Sequence, residues 1–222
     1  MTATIAVVGA GPGLGAAVAR RFAAEGLSVA LVSRTQEHVD DLADALAAEG
    51  ATARGYAADV RDPDALGAAL DAAAADLGPV AVLQYSPLPA REYLKPVLDT
   101  TAEDLDAALA FSLHGLRTAV ARVLPGMREQ GGGSVLLANG GSAVRPNPRV
   151  AGTSVAFAAE AAYAQMLHAE LAPEGVHVGQ LIIPGGIEPG HPTHEPAVLA
   201  GRLWAMHVER GEFRVYADRM PA

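Results

Sequence analysis

The chain has 222 residues, no cysteine, sixteen basic against twenty-five acidic side chains, and a formal net charge of −9. That length suits one α/β domain with a full core. The acidic balance argues against nucleic acid and anionic membrane surfaces, which need basic patches, and the lack of thiols excludes disulfides and thiolate metal sites.

Ile5–Val8 reads as a buried strand, followed by a glycine-rich turn and an Ala-rich helix over Ala16–Glu25 that Gly26 stops. Ser28–Val32 is the second strand, and a helix over Gln36–Glu49 closes at Gly50. Thr52–Ala57 follows as a third strand, with Pro63–Leu77 as its helix and Pro63 at a favoured first-turn position. Val80–Gln84 is the fourth strand, and a proline-broken loop runs from Pro87 to Pro96. Thr101–Met127 reads as a long helical region divided near Ser112, and Ser134–Ala138 as the fifth strand. A long helix over Ala151–Leu171 leads to the sixth strand, Val176–Ile183. The tail holds a Pro- and His-rich loop at 184–196, a helix to about Glu209 and a last strand, Phe213–Tyr216. This alternation predicts one Rossmann-like, doubly wound domain spanning 1–222. The sheet should have seven strands, mainly parallel, in the order 3-2-1-4-5-6-7, with the loop at about 184–196 as a substrate lid. No basic leader precedes the first strand and no apolar run would span a bilayer, so a cytoplasmic location is expected.

The glycine turn carries the chemistry. Gly9, Gly11, Pro12, Gly13, Leu14 and Gly15 lie between a strand and a helix N-terminus, where unpaired N–H groups face an anion. Gly11, Gly13 and Ala16 satisfy G-x-G-x-x-A, and no Lys-Ser or Lys-Thr follows, which excludes a nucleoside-triphosphate loop. A dinucleotide is the expected ligand. The second strand ends in Ser33 and Arg34 where an NAD site would place an acid. A guanidinium offers charged, bidentate donors to a 2′-phosphate, so NADP is favoured over NAD.

Together with Asp59-Val60 after the third strand and Pro184-Gly185 after the sixth, these features resemble the short-chain dehydrogenase/reductase family over nearly the whole chain. The resemblance implies that Asp59 bonds the adenine amino group and that Val60 lines the adenine pocket. It also implies that Tyr85 and the Pro184–Ile187 turn border the nicotinamide. The family's usual site combines a tyrosine proton donor, a lysine one turn later that lowers its pKa, a polarising serine, and an asparagine in the proton relay. Counting along the long helix and back from Leu124-Pro125, those positions hold Thr153, Phe157, Gly140 or Gly141, and Ser112. Every one departs from the pattern.

Replacements are few. Lys95, the sole lysine, sits in the loop after the fourth strand and is expected to be solvated, while Tyr163 lies too far along its helix to act. His114 is expected to meet a neighbouring helix. Gly141, Ser142, His191 and His194 complete the candidate substrate pocket, since histidine titrates in a useful range. No metal is expected; a solvated loop is the simpler account of both histidines.

Three functions remain open: an NADP(H)-dependent oxidoreductase acting on a small molecule without the Tyr–Lys relay, a non-catalytic NADP-binding sensor or partner, and a non-redox isomerase or cyclase. A homodimer or homotetramer is expected to form through helices near 109–128 and 151–171, where alanines 156, 159, 162 and 169 allow close approach.

Overall fold

The computed structural model describes residues 3–220. Seven parallel strands form one sheet in the order β3-β2-β1-β4-β5-β6-β7. They are β1 (Thr4–Val8), β2 (Ser28–Ser33), β3 (Ala53–Ala57), β4 (Val80–Tyr85), β5 (Gly133–Gly140), β6 (Val176–Ile183) and β7 (Arg214–Tyr216). The helices are α1 (Leu14–Ala23), α2 (Gln36–Ala48), α3 (Pro63–Leu77), α4 (Ala102–Leu109), α5 (Gly115–Glu129), α6 (Ala151–Leu171) and α7 (Pro196–Glu209).

Alternation within β1 explains the two layers. Ala6 and Val8 enter the apolar layer beneath α3, α5 and α6, while Ile5 and Val7 enter the layer beneath α1, α2 and α7. Both faces of the central strands are therefore buried, as a helix-covered parallel sheet requires. Local signals fix the helix starts. The Asp62 carboxylate accepts from the N–H groups of Asp64 and Ala65 at 3.1 and 3.0 Å, and Pro63 follows it. Thr101 and Asp104 form a capping box at α4.

Several strand ends differ from expectation by one or two residues. β3 begins at Ala53, β4 continues to Tyr85 against Val8 and Leu137, and β5 runs on to Gly140 because its ladder with β6 persists to Ile183. The expected break near Ser112 is a π-helical turn over Ala110–His114 that joins α4 to α5. Such a turn widens the backbone and is often found at functional sites. Register places the ends of β1, β2, β4 and β5 along one edge of the sheet, below the glycine turn. Among the described residues no helix is long and apolar enough to cross a membrane.

Candidate cofactor and active site

Gly9 has φ +92°, and a Cβ there would lie 2.4 Å from Pro87 Cα, so chain crossing and backbone conformation both demand glycine. The N–H groups of Gly9 and Ala10 donate to the Val32 carbonyl at 2.9 and 3.0 Å, tying the turn to β2. Gly11 and Gly13 face open space, and Gly13 precedes α1 with no side-chain cap. An anion can approach that backbone and the positive end of α1 together. Gly9, Gly11, Ser33, Arg34 and Val60 line one cleft, alongside Arg61, Tyr93 and Phe111. Pro12 and Gly13 face Pro189 and Glu195 of the lid across a second groove of about 420 Å³.

Asp59 sits beside the first cleft, but Arg61 holds its carboxylate through both Nε and Nη2. Those hydrogen bonds keep Asp59 below the usual carboxylate range despite partial burial, with Arg34 adding to the effect. Arg61 was not among the expected site residues, although its place two residues after Asp59 was a usable signal.

Tyr85 does not face the cleft. It is fully buried, and its hydroxyl donates to the Phe111 carbonyl at 2.6 Å. Its position at a sheet edge was legible; the side on which its ring would fall depends on register.

Of the four residues expected at the family's catalytic positions, Phe157 belongs to an apolar cluster, and Ser112 and Thr153 are buried. Thr153 is buried and its hydroxyl donates back to the Val150 carbonyl at 3.2 Å. Phe157 packs with Tyr93, Phe111, Ala143 and Ile182. Gly140 ends β5, and Gly141 lies under the Met220 side chain. Ser142 is half-buried in the short turn Gly141–Ala143. Gly152, just before Thr153, takes the Tyr93 backbone so closely that a Cβ would fall 2.8 Å from the Tyr93 carbonyl oxygen. The 91–93 segment and α6 thus pack directly on one another here. The first cleft encloses about 150 Å³ as it stands, against roughly 300–1,000 Å³ for typical ligand pockets.

Ser112 is fully buried and its Oγ lies against Glu160 Oε2. Asn139 Nδ2 donates to Glu160 Oε1 at 2.9 Å. Burial pushes the Glu160 carboxyl up to about 7, opposed by its bonds to Ser112 and Asn139. The sequence reading overlooked Glu160. Its one signal was an acid on an otherwise apolar helix face, three residues past Phe157.

The 184–196 loop departs from the solvated loop expected. His194 is buried, its ring stacks on His191 at 4.5 Å, and its Nε2 has no hydrogen-bond partner among the described residues. His191 Nδ1 accepts from the His194 N–H at 3.1 Å, which places the proton of neutral His191 on Nε2. Pro184 is buried, Gly185 takes φ +97° beside the His194 ring, and Ile187 is exposed. No cluster of three metal-ligating side chains occurs among the described residues. His114 is exposed rather than packed on a helix, Tyr163 packs half-buried against the core, and Lys95 pairs with Asp104 at 2.7 Å.

The family model for short chain dehydrogenases matches residues 3–195. A D-threitol dehydrogenase from Mycolicibacterium smegmatis is 33% identical over 176 residues, covering 79% of this chain and 66% of that protein. The short-chain reductase protein NovJ from Streptomyces niveus is 36% identical over 180 residues, covering 81% and 67%. The chain therefore spans about two-thirds of the length of these relatives. A short-chain dehydrogenase from Rhodopseudomonas palustris superimposes with a TM-score of 0.85 at 27% identity, over 98% of both chains. L-Sorbose reductase from Gluconobacter frateurii, solved with NADPH and L-sorbose, has the same fold, with a TM-score of 0.87 at 19% identity over 99% and 96%. On the family match, the sheet order and the glycine turn at its edge, this chain belongs to the short-chain dehydrogenase/reductase family.

Proposed function

We propose that the protein is an atypical NADP(H)-dependent oxidoreductase acting on a small molecule without a Tyr–Lys proton relay. The observation that carries this reading is the cleft in which the glycine turn, Ser33, Arg34 and Val60 meet at one edge of the sheet. In it, Gly9, Gly11, Pro12, Gly13, Leu14 and Gly15 would cradle the pyrophosphate, and Ser33 and Arg34 would grip the 2′-phosphate. Val60 would line the adenine pocket, and Pro184, Gly185 and Ile187 the nicotinamide end. The NADPH bound to L-sorbose reductase supports the cofactor choice by likeness of fold.

Ser112, Gly140, Gly141, Ser142, Thr153, Phe157, His191 and His194 would bound the substrate. None supplies a phenol beside an ammonium. A substrate that accepts hydride without a proton suits such a site: in an iminium, hydride adds to carbon while the C=N π pair moves onto nitrogen as its lone pair, giving a neutral amine with no proton transferred. Such a cation also matches the acidic balance of the chain. The test is NADPH binding followed by turnover on matched ketone and cyclic-iminium panels; oxidation of NADPH with iminium ions alone is expected. Comparable ketone turnover would overturn it.

A second reading, a non-catalytic NADP(H)-binding sensor or partner, is favoured by the apolar filling around Phe157 and Tyr93. It predicts binding with no turnover on either panel. A homodimer through α6 is proposed for either case.

A further inference from the structure

Glu160 projects from α6 into the interior, where its side-chain hydrogen-bond partners among the described residues are the uncharged Ser112 and Asn139. Its surroundings are set from a distance. Arg214 Nε donates to Gln180 Oε1 at 2.9 Å, so Gln180 Nε2 must donate to Asn139 Oδ1, at 2.8 Å. Asn139 is thereby oriented with its amide N–H toward Glu160. The guanidinium fixes the polarity of the chain of amides while its own charge stays two side chains away from the carboxyl.

On the other side, Ser112 Oγ lies between Glu160 and the Ala156 carbonyl, 3.4 Å away. As the neutral acid, Glu160 donates to Ser112, which donates onward to Ala156, and every group is satisfied. As the carboxylate, it must take the Ser112 proton for itself and hold a buried charge on two neutral donors.

We propose that Glu160 is a positioning residue for the π-helical turn Ala110–His114, clasping it as the neutral acid and loosening it as the carboxylate. The turn matters because Phe111 lines the cofactor cleft and its ring meets Tyr93 at 5.5 Å. The consequence for ligand rests on the NADP(H) reading above: cofactor binding weakens as the carboxyl ionises. Its upward shift to about 7 puts that change in the neutral range.

Few other groups compete. Tyr85 of β4 shares its field and is itself held neutral by burial. Gly141–Ala143 brings no titratable group. His114 is exposed at the far side of the turn, as are Arg91 and Glu92 of the 91–93 segment, Asp106 of α4 and Glu174 after α6. Asp104 is paired with Lys95, and His177 starts β6 at the opposite edge of the sheet.

The test compares the wild type with Glu160→Gln, which keeps both hydrogen bonds without a titrating proton. Amide exchange of residues 108–116, corrected for intrinsic rates, and NADPH affinity are followed from pH 5.5 to 8.5. In the wild type, protection and affinity should each fall about tenfold as pH rises toward 7 and level off above it, relative to Glu160→Gln, the factor corresponding to one unit of linked pKa change. A wild-type turn with pH-independent protection, or a Glu160→Gln protein that keeps the dependence, overturns the proposal. Ser112→Ala retains the carboxyl but cuts the link. Carboxyl NMR should still show Glu160 titrating there while the 108–116 amides no longer respond, and a response that persists overturns the proposal. If NADPH binds at no pH, the cofactor reading fails, and the exchange data still decide the role of Glu160.

Discussion

Arg61 encloses the Asp59 carboxylate, with Nη2 2.7 Å from Oδ2 and Nε 3.1 Å from Oδ1. A carboxylate so engaged has fewer lone pairs for an adenine amino group, so two nearby arginines should have separable effects. Arg34→Ala is expected to erase a preference for NADPH over NADH. A charge-assisted contact of about 1.5–3 kcal/mol corresponds to roughly ten- to a hundredfold in affinity. Arg61→Ala should instead move both affinities together by freeing Asp59. Fluorescence titration of each variant with both cofactors checks this, and equal wild-type affinities would refute the 2′-phosphate assignment.

Restoring the family's side chains should not restore its chemistry. Phe157→Lys would place an ammonium among Tyr93, Phe111 and Ile182, at a cost of about 3–5 kcal/mol in lost packing before any desolvation. Thr153→Tyr with Phe157→Lys and Gly140→Ser is expected to lower the urea midpoint and yield no ketone reduction above background. Residues that act as one unit do not add independently. NADPH oxidation and urea unfolding of the triple variant measure both effects.

Two buried groups should give stability opposing pH slopes. His177 is pushed down to about 4, first by burial and then by His168, Arg210 and His207. The folded state therefore binds fewer protons, and stability falls as pH drops from about 6.5 toward 4. Glu160 shifts the other way: the folded state keeps a proton that the unfolded chain has lost, so stability falls as pH rises from about 4.5 to 7. That second penalty is on the order of 3 kcal/mol. Urea midpoints should show His177→Leu removing the acid-side slope and Glu160→Gln the neutral-side one.

Of the alanines expected at an assembly surface, Ala156 faces the interior and Ala159 is half-buried, while Ala162 and Ala169 are exposed, as are Ala158, Val155 (47%) and Met166 (64%). Residues eleven apart on a helix lie on one side, three turns along. A two-fold pair through this face is expected, and Met166→Glu should shift light scattering from dimer to monomer. A monomeric wild type at micromolar concentration would remove this surface from consideration.

Sheet order and the place of the glycine turn between β1 and α1 were legible because periodicity, glycine spacing and helix caps are local signals. Ser33 and Arg34, at the end of β2, line the same cleft as Gly9 and Gly11. Tyr85 and His194 were misjudged because burial depends on partners far away in sequence: the Phe111 carbonyl for one, the Pro184–Gly185 turn for the other. Glu160 was invisible for a related reason. A lone acid on a helix reads as a solvated side chain until Asn139 and Ser112 are brought to it by β5 and the π-turn.

The segment after β4 is pinned at two glycines, Pro87 over Gly9 of the glycine turn and Tyr93 over Gly152 of α6. It is sewn down further where the Ala151 N–H donates to the Lys95 carbonyl at 2.9 Å and the Val97 N–H to the Pro148 carbonyl at 2.8 Å. If a dinucleotide enters the first cleft as proposed, that tied-down segment, which supplies Pro87, Leu88, Ala90, Glu92 and Tyr93 to its wall, is expected to lift first. The observed association rate should then level off as NADPH concentration rises, at a ceiling set by opening rather than encounter. Entry would be timed by the protein's own backbone.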